Sequence, residues 1–215
     1  MDKLADYYAK RAAEYERIYE KPERQRDLAS LKERIRRMLS GRRVLELACG
    51  TGYWTEVFAP VAGEVTALDV NQEVLDIARA KSYPPGRVEF MRADCFAPPG
   101  LGRRHDALFA GFWWSHVPLR RLDGFLAASA AAVAPGALIA FLDNRYVEGS
   151  STPVARRDAG GNAYQLRTLE DGSTHEVLKN FPSEGELIKR TVKNGWGANV
   201  ELFGHYWLLS YWANA

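Results

Sequence analysis

The sequence predicts an α/β fold in which a mostly parallel sheet is covered by helices on both faces. Three observations carry this. Short apolar runs that suit buried strands recur at Val44–Ala48, Val65–Leu68, Val88–Met91, Ala107–Phe112 and Ala137–Leu142. Segments of helical period lie between them, at Trp54–Ala59, Val74–Lys81 and Leu119–Val133. The chain has 215 residues and is 47% hydrophobic, enough for a full-sized core. Strand alternating with helix is the pattern of a doubly covered parallel sheet.

The elements follow in order. Leu4, Tyr8, Ala12, Tyr15 and Tyr19 recur every three or four residues, which is one face of a helix. Pro22 breaks that helix and suits the first turn of the next, which carries Leu28, Leu31, Ile35 and Met38 and ends at Gly41. Residues 1–40 read as an N-terminal helical cap and residues 41–215 as the main domain. The helix from Leu119 stops at Ala134-Pro135-Gly136. Beyond the fifth strand an insertion of about residues 150–180 holds a β-hairpin. Its strands are Tyr164–Leu169 and Thr174–Lys179, around the turn Glu170-Asp171-Gly172-Ser173. A helix over Pro182–Val192 capped by Ser183 follows. Asn199–His205 and Tyr206–Ala213 close the chain as an antiparallel pair.

Charge and composition narrow the function classes. Lys and Arg total 29 against 27 Asp and Glu, so the surplus of positive charge that phosphate backbones require is missing. No nucleic-acid partner is expected. No apolar run approaches the roughly 20 residues of a membrane span, and the charged start shows no leader. Two cysteines without a CxxC pattern give no metal site. A cytoplasmic protein is expected.

The chemistry concentrates in Val44-Leu-Glu46-Leu-Ala48-Cys49-Gly50-Thr-Gly52-Tyr-Trp54-Thr55, a strand, a glycine-rich turn and a helix start. Glycines there let the backbone approach a ligand. The dinucleotide pattern G-x-G-x-x-G fails, because Thr55 stands at the third glycine position. An acid, Glu46, lies four residues before Gly50. Beside pyrophosphate that carboxylate is unfavourable. Beside an amino-acid ammonium it is favourable, which points to S-adenosylmethionine.

This motif resembles the first motif of the class I S-adenosylmethionine-dependent methyltransferases, and the resemblance runs from about Arg43 to Asn144. It implies a Rossmann-like, seven-stranded, mostly parallel sheet. It implies that Asp69, ending the second strand, holds the ribose hydroxyls, as a fixed carboxylate can. It implies that Asp94, ending the third, meets the adenine amino group, with Phe96 or Met91 on the ring face. Ala48, Trp54, Thr55, Val70, Asn71 and Cys95 complete the expected cofactor contacts with Gly50, Gly52 and Gly111. Similar enzymes carry a helix of the type Tyr-Tyr-x-x-Arg-Ala-x-x-Tyr as a lid. Tyr8, Arg11 and Tyr15 fit it, with Arg11 toward the methionine carboxylate; the second reading is a plain amphipathic helix packed on the domain. Asp69 has a second reading as a cap for the helix near Asn71, and Asp94 and Glu46 have second readings as solvated acids.

Ligands in open α/β sheets lie beyond the carboxyl ends of the strands. That places Gly111-Phe112-Trp113-Trp114-Ser115-His116 at the transferable methyl. Trp113 and Trp114 suit a pocket wall. His116 suits a general base, or with Ser115 a cap for the helix opened by Pro118. Tyr19, Asn144, Arg145 and Tyr146 are candidate acceptor contacts. The insertion, bearing Arg156, Arg157, Tyr164, Arg167 and His175, suits the substrate side or a homodimer contact. The function expected is methyl transfer from S-adenosylmethionine to oxygen or nitrogen of a small molecule, with S-adenosylhomocysteine as product. The alternatives are an NAD(P)-dependent oxidoreductase and a non-catalytic cofactor binder.

Overall fold

The computed structural model describes residues 12–99, 101, 104–169 and 171–214. A 3-10 helix over Ala12–Tyr19 and a single turn, Pro22–Arg24, lead into α1 (Gln25–Leu39). Then come β1 (Arg43–Leu47), α2 (Tyr53–Phe58), β2 (Glu64–Asp69), α3 (Gln72–Arg79), β3 (Val88–Arg92) and β4 (Ala107–Gly111). A 3-10 turn over Trp114–His116 precedes α4 (Leu119–Ala131) and β5 (Leu138–Asn144). The insertion holds β6 (Arg156–Arg157), β7 (Ala163–Thr168) and β8 (Thr174–Leu178). The chain finishes with α5 (Glu184–Thr191), β9 (Gly195–Leu202) and β10 (Tyr206–Ala213).

Seven strands form one sheet in the order β3-β2-β1-β4-β5-β10-β9. The first five are parallel, and β10 runs antiparallel to β5 and to β9. Succession reverses between β1 and β4: β2 and β3 lie to one side of β1, β4 and β5 to the other. The crevice at such a switch point is where open α/β sheets bind ligands. The predicted hairpin is present but gains a third strand, since β6 pairs with β7 in a separate antiparallel sheet.

Alternation along the strands explains the layers. On one face Val44, Phe109, Ala140, Leu142 and Leu208 pack with Leu28, Leu31, Ile35 and Leu39 of α1 and Phe58 of α2. On the other, Leu45, Leu47, Leu108, Ile139, Phe141 and Leu209 pack with Phe125 and Leu126 of α4 and Leu187 of α5. Glu46 shares the parity of Val44 and points toward α2. Ser183 caps α5 through a full capping box with Glu186. The expected cap at α4 differs. Neither Ser115 nor His116 fills it; the Leu119 N–H donates to Asn162 Oδ1 of the insertion, 2.8 Å away. No helix among the described residues is long and apolar enough to cross a membrane.

Candidate active site

The glycine turn after β1 is built on backbone conformations that side chains avoid. Ala48 has φ +53°, Gly50 +57° and Gly52 +79°. The two glycines serve different ends. A Cβ added at Gly50 would meet no atom within 4 Å, so its open side is a cradle facing the crevice. A Cβ at Gly52 would lie 2.5 Å from the Tyr83 hydroxyl and 3.1 Å from Ala78 Cβ, so that glycine lets the turn pack on α3. Asp69 ties the turn to β2, accepting from Gly50 N–H on Oδ2 and Asn71 N–H on Oδ1, both at 2.9 Å. It is therefore a backbone clamp, and each oxygen retains a second lone pair for a diol. Burial raises its pKa, and those hydrogen bonds oppose the rise.

Glu46 is buried, and the Thr55 hydroxyl donates to its Oε2. Burial pushes its pKa up to about 8. Thr55 is also wholly buried, so it supports Glu46 and does not face the crevice. Trp54 joins a cluster with Tyr19 and Phe112, its ring stacked on Phe112 at 6.2 Å. Its indole N–H and the Tyr83 hydroxyl are buried without a hydrogen-bond partner among the described residues. Two orphaned donors beside an open glycine turn fit a polar ligand such as the methionine half of the cofactor. Asp94 closes a turn by accepting from Phe96 N–H at 2.9 Å. Phe96 packs against Trp113 and Phe125, with Arg121 at 3.7 Å over its ring. Cys95 is buried and Val70 is exposed.

A cavity of about 450 Å³ opens beyond the carboxyl ends of β4 and β5. Tyr19, Phe112 and Tyr206 bound it on one side, and the insertion bounds it on the other through Gln165, Arg167 and Lys179. Phe112 holds φ +60°, and its N–H donates to Leu142 O at 2.6 Å. Strained residues of this kind collect at functional sites. His116 lines the cavity. Its Nδ1 lies 2.6 Å from Leu178 O, and a carbonyl only accepts, so the proton sits on Nδ1 and Nε2 is the acceptor nitrogen. Burial, followed by the charges of Lys179 and Arg167, holds the His116 pKa well below the usual range. These causes favour the neutral ring.

Lys179 and Asp143 form a buried ion pair, Nζ to Oδ1 at 2.8 Å. Asp143 also accepts from Ser115 N–H at 2.9 Å and from Asn144 N–H at 2.7 Å. Burial works against its ionisation, but Lys179 and these bonds outweigh it and lower its pKa. Arg24 is buried, stands 5.6 Å over the Tyr206 ring, and donates to Asn144 Oδ1 and to Ser150 O and Oγ.

The cavity thus brings together Tyr19, His116 and Asn144 of the expected acceptor contacts. The other four lie elsewhere. Trp114 is core, packed on Phe141 and Trp207. Trp113 lies over Phe96, outside the cavity lining. Arg145 is pinned outward to Phe203 O, and Tyr146 is exposed against Phe181. Gly111 was expected to admit the cofactor, yet an added Cβ would meet Trp54 at 3.1 Å, so its missing side chain makes room for that ring. Tyr8, Arg11 and the Tyr15 side chain lie outside the described residues. Sequence reasoning missed Arg24, Phe112, Lys179 and Tyr206. For Lys179 the one local signal was its place at the end of a β-prone run.

Fold and site together define a Rossmann-like α/β protein with a ligand crevice at the switch point of its sheet. Comparison places it within that class. Residues 44–136 match the methyltransferase domain family. A ubiquinone biosynthesis O-methyltransferase from Aromatoleum aromaticum is 31% identical over 171 residues, covering 77% of this chain and 68% of that one. The corresponding enzyme from Thiobacillus denitrificans is 29% identical, and the chain spans 65% of its length. A solved structure described as "DhpI-SAM-HEP complex" is 31% identical with a TM-score of 0.81, covering 97% of this chain and 95% of that one. The chain belongs to the class I S-adenosylmethionine-dependent methyltransferases.

Proposed function

We propose that this protein methylates an oxygen atom of a small molecule held in the cavity between the β4 and β5 ends and the insertion. The observation that carries this reading is the junction at the β1/β4 switch point. There Trp54, in the helix that follows the glycine turn, packs on Tyr19 and Phe112, which line the acceptor cavity. Relatives named as O-methyltransferases favour oxygen over nitrogen. When bound, S-adenosylmethionine supplies an electrophilic methyl on a sulfonium.

The chain's own residues bind and align. Asp69 holds the ribose diol while keeping the turn in shape. The Gly50 cradle admits the methionine half, and Glu46 faces its ammonium group, which would draw the buried carboxyl into its ionised form. Asp94 and Phe96 border the adenine. Tyr19 and Phe112 exclude water from the line between methyl and acceptor, and His116 orients the acceptor through Nε2. Proximity and alignment supply most of the rate enhancement that such a displacement needs.

Calorimetry with S-adenosylhomocysteine tests the cofactor half of this reading. Wild-type protein binds it, and Asp69→Ala binds about 10- to 100-fold more weakly, as loss of charge-assisted hydrogen bonds requires. Equal affinity for the two proteins, or no binding by either, overturns it.

A further inference from the structure

We propose that the acceptor carries a small oxyanion, a carboxylate or a phosphorus oxyanion, that Lys179 and Arg167 grip this group, and that one of its oxygens receives the methyl. The inference rests on the methyltransferase reading above and names its substrate class. Lys21, Arg24, Arg167 and Lys179 all line the cavity, and no Asp or Glu does among the described residues. The one buried acid nearby, Asp143, lies beneath the lining and is matched to Lys179. Lys21 and Arg24 donate to neutral oxygens of Ser150 and Asn144, and the Glu23 carboxylate, in reach of both charges, offsets them only in part from outside the cavity lining. Glu23 approaches Ser150 Oγ from the exposed side. A pocket with positive charge in excess is costly to keep dry unless its ligand is an anion.

The donor types agree with that ligand. A guanidinium offers a planar fork to paired oxygens, and an ammonium offers a point charge beside it. The cavity volume suits a molecule of modest size. His116 agrees as well, since its pKa is depressed by burial and by both of these cations. An anionic oxygen needs no base. One of its lone pairs forms the O–CH3 bond while the electron pair of the S–CH3 bond returns to sulfur. The sulfonium and oxyanion charges cancel, and no proton is released.

The test is calorimetry on the full chain, with and without S-adenosylhomocysteine, using propionate, propyl phosphate and propylphosphonate as probes. Propanol and propylamine serve as neutral and cationic controls. At least one anion binds, its affinity falls as salt rises, and the controls do not bind. The planar and tetrahedral arms tell which oxyanion is preferred. Arg167 is partly exposed on β7, so Arg167→Gln tests the grip without emptying the core. It weakens anion binding about 10- to 100-fold and leaves S-adenosylhomocysteine affinity unchanged. Mass spectrometry with S-adenosylmethionine present then finds the methyl ester of the bound anion. If S-adenosylhomocysteine binds but the anions bind no better than propanol, or Arg167→Gln binds them as wild type does, the oxyanion assignment fails alone. If S-adenosylhomocysteine does not bind, the underlying reading fails first.

Discussion

Lys179 Nζ stands 2.8 Å from Asp143 Oδ1, with 5% of the lysine side chain and none of the aspartate exposed. The pair joins the insertion to the end of β5, so it is a structural tie as well as part of the cavity wall. Removing one partner strands a buried charge. Lys179→Met is expected to lose about 3–5 kcal/mol in urea unfolding. Adding Asp143→Asn to it is expected to restore a large part, because the stranded charge is then gone.

Glu46 gives a stability that depends on pH. Its carboxyl titrates at about 8 in the fold, against an ordinary 4.5. Between those values the folded chain holds a proton that the unfolded chain has lost, so stability falls as pH rises through the window. The decline is expected to reach roughly 2–4 kcal/mol between about pH 5 and pH 8. Glu46→Gln removes this slope, as parallel unfolding curves at the two pH values would show.

His116 is expected to leave no titration of its own near neutrality. With S-adenosylmethionine saturating, so that Glu46 is already ionised, and an acceptor whose ionisation is complete, wild-type kcat/KM for the acceptor stays flat from about pH 6 to pH 8 because the buried ring remains neutral there. His116→Asn lowers kcat through lost alignment and keeps the flat profile. An acid limb near pH 6.5 that vanishes in the variant would restore the general-base role.

Gly52 and Tyr83 are expected to be coupled. Gly52→Ala drives a Cβ into the Tyr83 hydroxyl and strains a φ of +79°, at a cost of about 2–4 kcal/mol with weakened cofactor binding. Tyr83→Phe in the same chain removes the colliding oxygen and recovers that part of the steric cost, leaving the 3.1 Å contact with Ala78 and the backbone strain. Unfolding free energies of the single and double variants measure that coupling.

Periodicity made the architecture legible. Val44 and Leu45 alternate between two cores, and each predicted strand of the main sheet is present with ends shifted by a few residues at most. Acids closing strands were legible for the same reason, since Asp69 follows a run that can only be a buried strand. Side-chain direction in irregular segments was not. Trp113 and Trp114 are neighbours at the start of a 3-10 turn, yet one packs on Phe96 and the other on Phe141 of β5. Arg24 sits in Lys21-Pro22-Glu23-Arg24-Gln25-Arg26, which reads as a solvated stretch until Ser150 folds over it. Lys179 acquires its place only when β8 docks on the loop after β4 through Leu178 O and His116. Such long-range docking leaves no local pattern.

The division of labour across this molecule has a further consequence. The turns of the main sheet supply the nucleoside crevice, whereas Arg167 and Lys179 arrive on a separate three-stranded appendage. Under the proposed reading, part of the selectivity for what is modified is therefore housed apart from the machinery that holds the donor. On that reading, grafting a different appendage between β5 and α5 is expected to change the acceptor while the grip on the donor stays intact.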